Sequence, residues 1–164
     1  MAMGTNMQQT PNFPPQSYYL QQFLISTEFT KLDLAMVHDF LTHESYWALG
    51  IDRQTVEKSL NHSLCFGVYD CSASADIQIG FGRVITDFAC FAYLADVFIL
   101  LPFRGQGLGK WLISCILSHP ELQNLRKWML NTKDAHTLYE GFGFQLYAEH
   151  DTYMSYRPKL EAAP

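Results

Sequence analysis

This 164-residue sequence has no long apolar run: no stretch approaches 18 consecutive apolar residues, so no transmembrane helix is predicted. Its first 17 residues have neither a basic patch nor an apolar segment, and they do not predict a signal peptide. These residues are rich in Gln, Asn and Pro and predict a flexible tail over 1–17. The whole sequence is 48% hydrophobic, and residues 18–164 are predicted to form one cytoplasmic domain with no membrane partner.

Basic residues are also scarce. Eleven Lys and Arg against 16 Asp and Glu give a net charge of -5, which disfavours a nucleic-acid partner and is compatible with cationic amines. The four cysteines form no C-x-x-C pair, which favours free thiols over disulfides. The histidines show no metal-ligand spacing, so no metal site is predicted.

A glycine-rich loop at residues 103–110 follows an apolar run at 91–101 and precedes an amphipathic segment that reaches residue 118. The first turn of a helix has N–H groups without a carbonyl partner, and the helix dipole places partial positive charge there. The order strand, glycine loop, helix therefore predicts an anion site. Gly105, Gly107 and Gly109 have no Cβ, so each is able to adopt positive φ and admit phosphate oxygens.

Two familiar phosphate motifs do not match this loop. A Walker A motif requires glycine and Ser or Thr where this chain has Arg104 and Trp111, which disfavours a nucleotide triphosphatase. A dinucleotide fingerprint requires a third glycine where Lys110 stands, and no acidic residue ends a strand about 20 residues later. Both classes of nucleotide-binding protein are therefore disfavoured.

The pattern that does match is R-x-x-G-x-G at 104–109, which resembles the GNAT superfamily of acyl-CoA-dependent N-acetyltransferases. In that family Q/R-x-x-G-x-G/A wraps the pyrophosphate of coenzyme A. Residues 94–99 and 127–131 look like the family's fourth and fifth strands, and 135–144 looks like its A-x-x-L-Y-x-x-x-G-F signature. The resemblance covers residues 91–147, about a third of the chain.

The resemblance implies a GNAT-like α/β fold, with a mixed central sheet of about six to seven strands flanked by helices on both faces. Residues 30–43 trace an apolar helical face behind a cap at Ser26 or Thr30. The other predicted elements are a strand at 18–26, a helix at 52–61, paired strands at 64–69 and 77–86, and final strands near 145–147 and 152–156.

The resemblance further implies acetyl-CoA as co-substrate. Its pantetheine arm is expected beside Val97, Phe98 and Ile99, although an ordinary core strand would have the same apolar residues. Thr132 stands where the family often has an asparagine that contacts the cofactor. The implied pyrophosphate contacts are Arg104, Gly105, Gln106, Gly107, Leu108, Gly109 and Lys110.

Two residues are candidates for the chemistry. Tyr139 occupies the family's L-Y position, where a phenol lies near the thioester sulfur and protonates the leaving thiolate; alternatively it is a packing residue with a solvated hydroxyl. Asp96 is a candidate general base acting through water. Equally, Asp96 could cap a bulge or pair with Arg83.

Acceptor specificity is expected from the segment between the two early helices, where Tyr46 and Trp47 could form an aromatic wall over an amine or, equally, could pack into the core. Arg83 is a third candidate substrate contact. The expected activity is direct acetyl transfer, in a ternary complex, to a primary amine of a small molecule or protein. A non-catalytic acyl-CoA sensor and a purely structural α/β domain stay open as alternatives, as does a homodimer.

Overall fold

The computed structural model describes residues 13–148 and 150–156. These residues divide into two compact units at the boundary between Asn131 and Thr132, and each unit is described by itself. None of the helices in the described ranges combines the length and apolarity needed to span a bilayer.

The first unit contains a mixed sheet, which confirms the predicted α/β fold class. The six strands found in the described residues are β1 (Ser17–Leu20), β2 (Phe23–Ser26), β3 (Leu64–Asp70), β4 (Ile77–Thr86), β5 (Phe91–Ile99) and β6 (Lys127–Leu130). The strand order in the sheet follows the chain from β1 to β6. β5 and β6 are parallel, and the other neighbouring strands are antiparallel.

The strand predicted at 18–26 is instead a hairpin. Gln21 has a φ of 53°, which reverses the chain, and Tyr18 of β1 then pairs with Ile25 of β2. Gln21 and Gln22 lie between the apolar residues of the predicted strand, and they form the turn of this hairpin.

Among its described residues, this unit has three α-helices: α1 (Leu34–His43), α2 (Arg53–Asn61) and α3 (Leu108–Leu117). The helix predicted from residue 30 begins later, because a separate 3-10 turn occupies Phe29–Lys31. Its cap is neither Ser26 nor Thr30 but Asp33, whose carboxylate accepts a hydrogen bond from the Met36 N–H at 3.0 Å. Asp52 caps α2 in the same way.

The helices cover both faces of the sheet, as predicted. Successive strand residues point to opposite faces. Cys65, Phe81 and Phe98 share one buried cluster with the apolar residues of α1 and α2. On the other face, a Cβ added to Gly82 would lie 3.3 Å from Ile116 of α3, so this glycine brings helix and sheet close together.

The second unit begins at Thr132, and the part of it that the structure describes has one short α-helix, α4 (His136–Glu140). The strands predicted near 145–147 and 152–156 are wrong: residues 145–147 have no regular structure, and a 3-10 turn at His150–Thr152 precedes irregular chain. Aromatic residues raise local strand propensity, but a strand also needs a pairing partner and a buried face. Here Leu146 and Met154 are 75% and 98% exposed.

Candidate active site

The glycine loop joins β5 to α3 and ends in an open helix terminus. Gly107 is the residue before α3, with a φ of 80°, and its carbonyl accepts the first helical hydrogen bond, from the Trp111 N–H at 3.0 Å. The N–H groups of Leu108, Gly109 and Lys110 find no carbonyl partner within the described residues. These N–H groups lie at the helix end where the sequence predicts an anion site.

Two of the three glycines use their conformational freedom. Gly105 and Gly107 have φ values of 79° and 80°, and a Cβ placed on either one would meet no atom within 4 Å. Space is therefore open for a ligand at both positions. Gly109 lies inside α3 without positive φ, and its Cβ would make an ordinary contact with Ile99 at 4.0 Å.

Arg104 connects the loop to the end of β5. Its Nε donates to the carbonyl oxygen of Ile99 at 2.7 Å, which fixes the guanidinium group at the start of the loop. Because Nε is fixed in this way, the other guanidinium N–H groups have a restricted orientation, which favours bidentate contact with an anion. Leu108 is buried and anchors α3 in the core, whereas Gln106 and Lys110 are exposed.

β5 extends beyond its parallel neighbour. β6 pairs with β5 only from Phe91 to Leu94. Among the described residues, the later part of β5, including Val97, Phe98 and Ile99, has a strand partner only on the β4 side. The backbone of this segment is therefore suited to accept an extended ligand as an added strand.

A bulge interrupts the β4 pairing in the same segment. The register shifts between Phe81 and Arg83, and Asp96 adopts a φ of 53°. The Asp96 carboxylate accepts hydrogen bonds through both oxygens, Oδ2 from Arg83 Nε and Oδ1 from Trp47 Nε1 at 2.9 Å. Asp96 thus lies in a bulge and pairs with Arg83. Both are structural roles that the sequence allows as alternatives to a general base.

Tyr46 and Trp47 lie together in the connection between α1 and α2. Their rings meet edge to face with centroids 5.0 Å apart, and they remain 50% and 44% exposed. Behind them Phe40 stacks on Phe98 of β5, with centroids 3.7 Å apart. An exposed aromatic pair is therefore connected to the strand that carries the bulge.

In the second unit, the end of α4 explains the signature around Tyr139. Gly143 has a φ of 89°, its N–H donates to Glu140, and the Phe144 N–H donates to the Tyr139 carbonyl at 3.2 Å. This is the Schellman arrangement that ends a helix at a glycine. Thr132, at the start of the unit, accepts a hydrogen bond from the Ala135 N–H at 3.0 Å.

A family model described as Acetyltransferase (GNAT) domain matches residues 61–146. The chain belongs to the GNAT acetyltransferase family. A protein of Gibberella zeae described as an acetyltransferase is 30% identical over 156 residues, which cover 84% of this chain and 87% of the relative.

Solved structures agree with this GNAT assignment. A GNAT family acetyltransferase from Xanthomonas campestris pv. campestris is 37% identical, with a TM-score of 0.79, over 85% of this chain and 96% of that one. Glucosamine-6-phosphate N-acetyltransferase from Arabidopsis thaliana shares the fold, with a TM-score of 0.57 at 15% identity, over 84% of this chain and 99% of that one.

Three of the four cysteines of this GNAT chain, Cys65, Cys71 and Cys115, are poorly suited to nucleophilic catalysis. Burial raises the pKa of Cys65 to about 12 and that of Cys115 to about 11. The pKa of Cys71 rises to about 11, through desolvation and its proximity to Asp76. Because the thiolate is the reactive form, these thiols are unreactive near neutral pH. No cluster of metal-ligating side chains occurs in the part of the chain that the structure describes.

One residue of the network around Asp96 was not predicted from the sequence. Ser63 accepts a hydrogen bond from Arg83 Nη1 at 3.1 Å and donates to the Ser59 carbonyl at 2.8 Å. The contact between Trp47 and Asp96 was also not predicted, although both residues were candidates. Since 20 positions separate Ser63 from Arg83 and 49 separate Trp47 from Asp96, no local sequence pattern indicates either contact.

Proposed function

We propose that this GNAT protein is an N-acetyltransferase that moves the acetyl group of acetyl-CoA to a primary amine of a small molecule or protein by direct transfer in a ternary complex. The loop at Gly105 and Gly107 carries the proposal, because open space and unpaired helical N–H groups coincide there. The likeness to an Arabidopsis N-acetyltransferase is compatible with amine acetylation on this fold.

The residues around the loop fit the acyl donor. Its pyrophosphate would be held by the backbone N–H groups that follow Gly105, together with the side chains of Arg104 and Lys110. The β5 backbone from Val97 to Ile99 would bind the pantetheine arm. For the second unit, the GNAT resemblance implies one further hydrogen bond to the cofactor, from the Thr132 hydroxyl. Acetyl-CoA supplies an acetyl group activated as a thioester.

Tyr139 is the proposed general acid. Its phenol would donate a proton to the departing thiolate, which makes the sulfur a better leaving group. The helix end at Gly143 and the ring of Phe144 hold Tyr139 in place, with ring centroids 5.9 Å apart. A fixed ring orients the hydroxyl before the reaction, as efficient proton transfer requires.

The acceptor amine must lose a proton before or during its attack on the thioester carbonyl. Asp96 is a weaker candidate for this step than its position in the sequence indicates, because both carboxylate oxygens already accept hydrogen bonds from protein groups. We therefore assign deprotonation to solvent water.

Two assays test the proposal. Thermal shift with acetyl-CoA and with CoA measures donor binding, and a ligand at 100 times its Kd stabilises by about 2.7 kcal/mol. Release of free thiol in the presence of a panel of primary amines then measures transfer. Stabilisation without amine-dependent thiol release would indicate an acyl-CoA sensor, and absence of both would indicate a structural domain.

A further inference from the structure

A chain of hydrogen bonds runs from the end of α2 to an exposed aromatic ring. The Ser63 hydroxyl donates to the Ser59 carbonyl and accepts from Arg83 Nη1. Arg83 Nε donates to Asp96, and Asp96 accepts from Trp47 Nε1 at 2.9 Å. We refer to Ser63, Arg83, Asp96 and Trp47 as the relay.

The central ion pair of the relay is held tightly. The side chains of Arg83 and Asp96 are only 15% and 9% exposed, so their charges compensate each other away from bulk water. Asp96 lies in the β5 bulge with a left-handed φ of 53°, a conformation that aspartate tolerates better than most residues. The strand conformation and the ion pair together fix the oxygen that Trp47 contacts.

Trp47 is held on its other side by aromatic rings. Its ring centroid lies 6.4 Å from that of Phe40, which is itself stacked on Phe98 of β5. Tyr46 meets Trp47 edge to face at 5.0 Å. Nonetheless, 44% of Trp47 is exposed. An indole fixed by a hydrogen bond and by neighbouring rings, with nearly half its surface open, is preorganised for contact with a ligand.

We propose that Trp47 is a specificity-determining residue for the acceptor, that Ser63, Arg83 and Asp96 position its ring, and that the preferred acceptor carries its primary amine on an apolar aromatic body. This inference rests on the proposed function. It assigns Asp96 a positioning role in place of proton transfer.

The charges of the relay argue for this substrate class. Arg83 and Asp96 neutralise each other, so their pair offers no counter-ion for a carboxylate or a second ammonium group on the acceptor. A carboxylate desolvated there without a partner would be costly. The exposed indole, in contrast, favours an aromatic body through area burial and edge-to-face contact.

The acceptor probes are 2-phenylethylamine, ethylamine, which lacks the ring, and L-phenylalanine, which adds only a carboxylate. Thiol release from acetyl-CoA gives kcat and KM for each. We expect 2-phenylethylamine to have the highest kcat/KM, with the other two at least about tenfold lower, because one loses the ring contact and the other desolvates a charge. Equal kcat/KM for 2-phenylethylamine and L-phenylalanine would overturn the proposed substrate class.

The variants separate the ring from its positioning. Trp47→Phe keeps an aromatic ring and loses the N–H donor, and it is expected to raise the KM for 2-phenylethylamine about fivefold, the effect of one hydrogen bond. Trp47→Ala should raise it further, while the KM for acetyl-CoA stays unchanged. Trp128→Phe is the matched control, since Trp128 lies on β6 outside the relay. Unchanged acceptor KM in both Trp47 variants would overturn the inference.

Asp96→Asn distinguishes positioning from proton transfer. A positioning residue is expected to change the acceptor KM about fivefold, with kcat within about threefold and an unaltered pH profile of kcat. A general base would instead lower kcat by about 100-fold or more and remove its ionisation from that profile. The second result would overturn the positioning role. In the Trp47→Phe/Asp96→Asn double variant, the KM effects of a shared relay should be less than additive.

Binding without catalysis tests the ring contact separately from acetyl transfer. The chain has three tryptophans, so Trp111→Phe/Trp128→Phe leaves Trp47 as the sole indole fluorophore. Saturable quenching of Trp47 fluorescence by 2-phenylethylamine and not by ethylamine would support the ring contact. If no amine in the panel releases thiol, the proposed function is removed, but this binding result still supports the contact. No saturable change in this variant would overturn the inference.

Discussion

Phe144 packs edge to face against Tyr139, with ring centroids 5.9 Å apart, and the N–H of Phe144 donates to the carbonyl of Tyr139 at 3.2 Å. The tyrosine and the Gly-Phe pair of the signature are therefore parts of one helix terminus. Four residues after the tyrosine, glycine supplies the left-handed turn, and phenylalanine supplies the ring that restrains the phenol.

Tyr139→Phe is expected to lower kcat by about 100-fold, the usual contribution of a general acid, with little change in acetyl-CoA affinity. The substitution removes only the hydroxyl and retains the ring that contacts Phe144. Thiol-release kinetics and thermal shift with acetyl-CoA measure the two effects. Phe144→Leu is the comparison variant: it loosens the same ring while keeping the hydroxyl, so it should lower kcat less than Tyr139→Phe does. Undiminished turnover in Tyr139→Phe would remove the phenol from the mechanism.

Gly107→Ala is expected to lower the free energy of unfolding by about 1–2 kcal/mol, because alanine at a φ of 80° is strained. It should also weaken acetyl-CoA binding, because relief of the strain would move the N–H groups at the start of α3. Gly109→Ala is the control, since Gly109 has no positive φ and its added methyl would make only an ordinary contact at 4.0 Å. Denaturant unfolding and thermal shift with acetyl-CoA measure both variants. An equal loss of stability at both positions would contradict the geometry of the loop.

His119 is expected to make stability depend on pH below about 6.5, the ordinary pKa of histidine. Burial lowers the pKa of its imidazole in the folded chain, where Nδ1 accepts a hydrogen bond from the Glu121 N–H at 3.2 Å. Below about pH 6.5 the unfolded state therefore binds more protons, and the free energy of unfolding falls as the pH is lowered toward the folded pKa.

The measurement is the unfolding midpoint between pH 7.5 and 5. His119→Asn keeps an acceptor for the Glu121 N–H but does not titrate, so it should flatten the slope. The wild-type chain measured over the same pH range is the reference. A His119→Asn slope equal to that of the wild type would contradict the assignment.

Tyr69→Phe is expected to raise the free energy of unfolding by about 1 kcal/mol, because it removes a buried hydroxyl that has no hydrogen-bond partner among the described residues. Burial also raises the pKa of this phenol well above its ordinary value. The ring itself fits closely over Gly67, where an added Cβ would come within 2.6 Å of Tyr69 Cζ. Urea unfolding measures the change, with Tyr19→Phe on an exposed ring as the control. A loss of stability in Tyr69→Phe would indicate that the hydroxyl is satisfied.

Local sequence signals predicted most of the first unit. The pairing of β3 with β4 and the start of α3 after a glycine depend on nearby apolar periodicity and turn residues. The strand at Lys127–Leu130 was expected from the GNAT resemblance. The cap of α1 was placed wrongly because Ser26 and Thr30 are also residue types that cap helices, whereas the 3-10 turn at Phe29–Lys31 separates both from the start of α1.

Features that depend on contacts distant in sequence could not be predicted. The predicted strands near 145–147 and 152–156 have suitable residues, yet pairing is a property of a partner strand that no local pattern reveals. The bulge at Asp96 is similar. The sequence allowed three roles for the carboxylate: a general base, a cap or an ion-pair partner. Its two oxygens accept hydrogen bonds from Arg83 and from Trp47, and Trp47 lies 49 residues earlier in the sequence.

The hydrogen bond from Arg104 to the end of β5 bears on why glutamine and arginine interchange at the first position of the Q/R-x-x-G-x-G/A motif. Arg104 uses Nε, not its net charge, to hold the Ile99 carbonyl. A glutamine amide also presents a planar N–H donor, whereas lysine keeps the charge on a flexible stem. Neutral glutamine should thus be the milder replacement for Arg104, and charge-preserving lysine the more disruptive one.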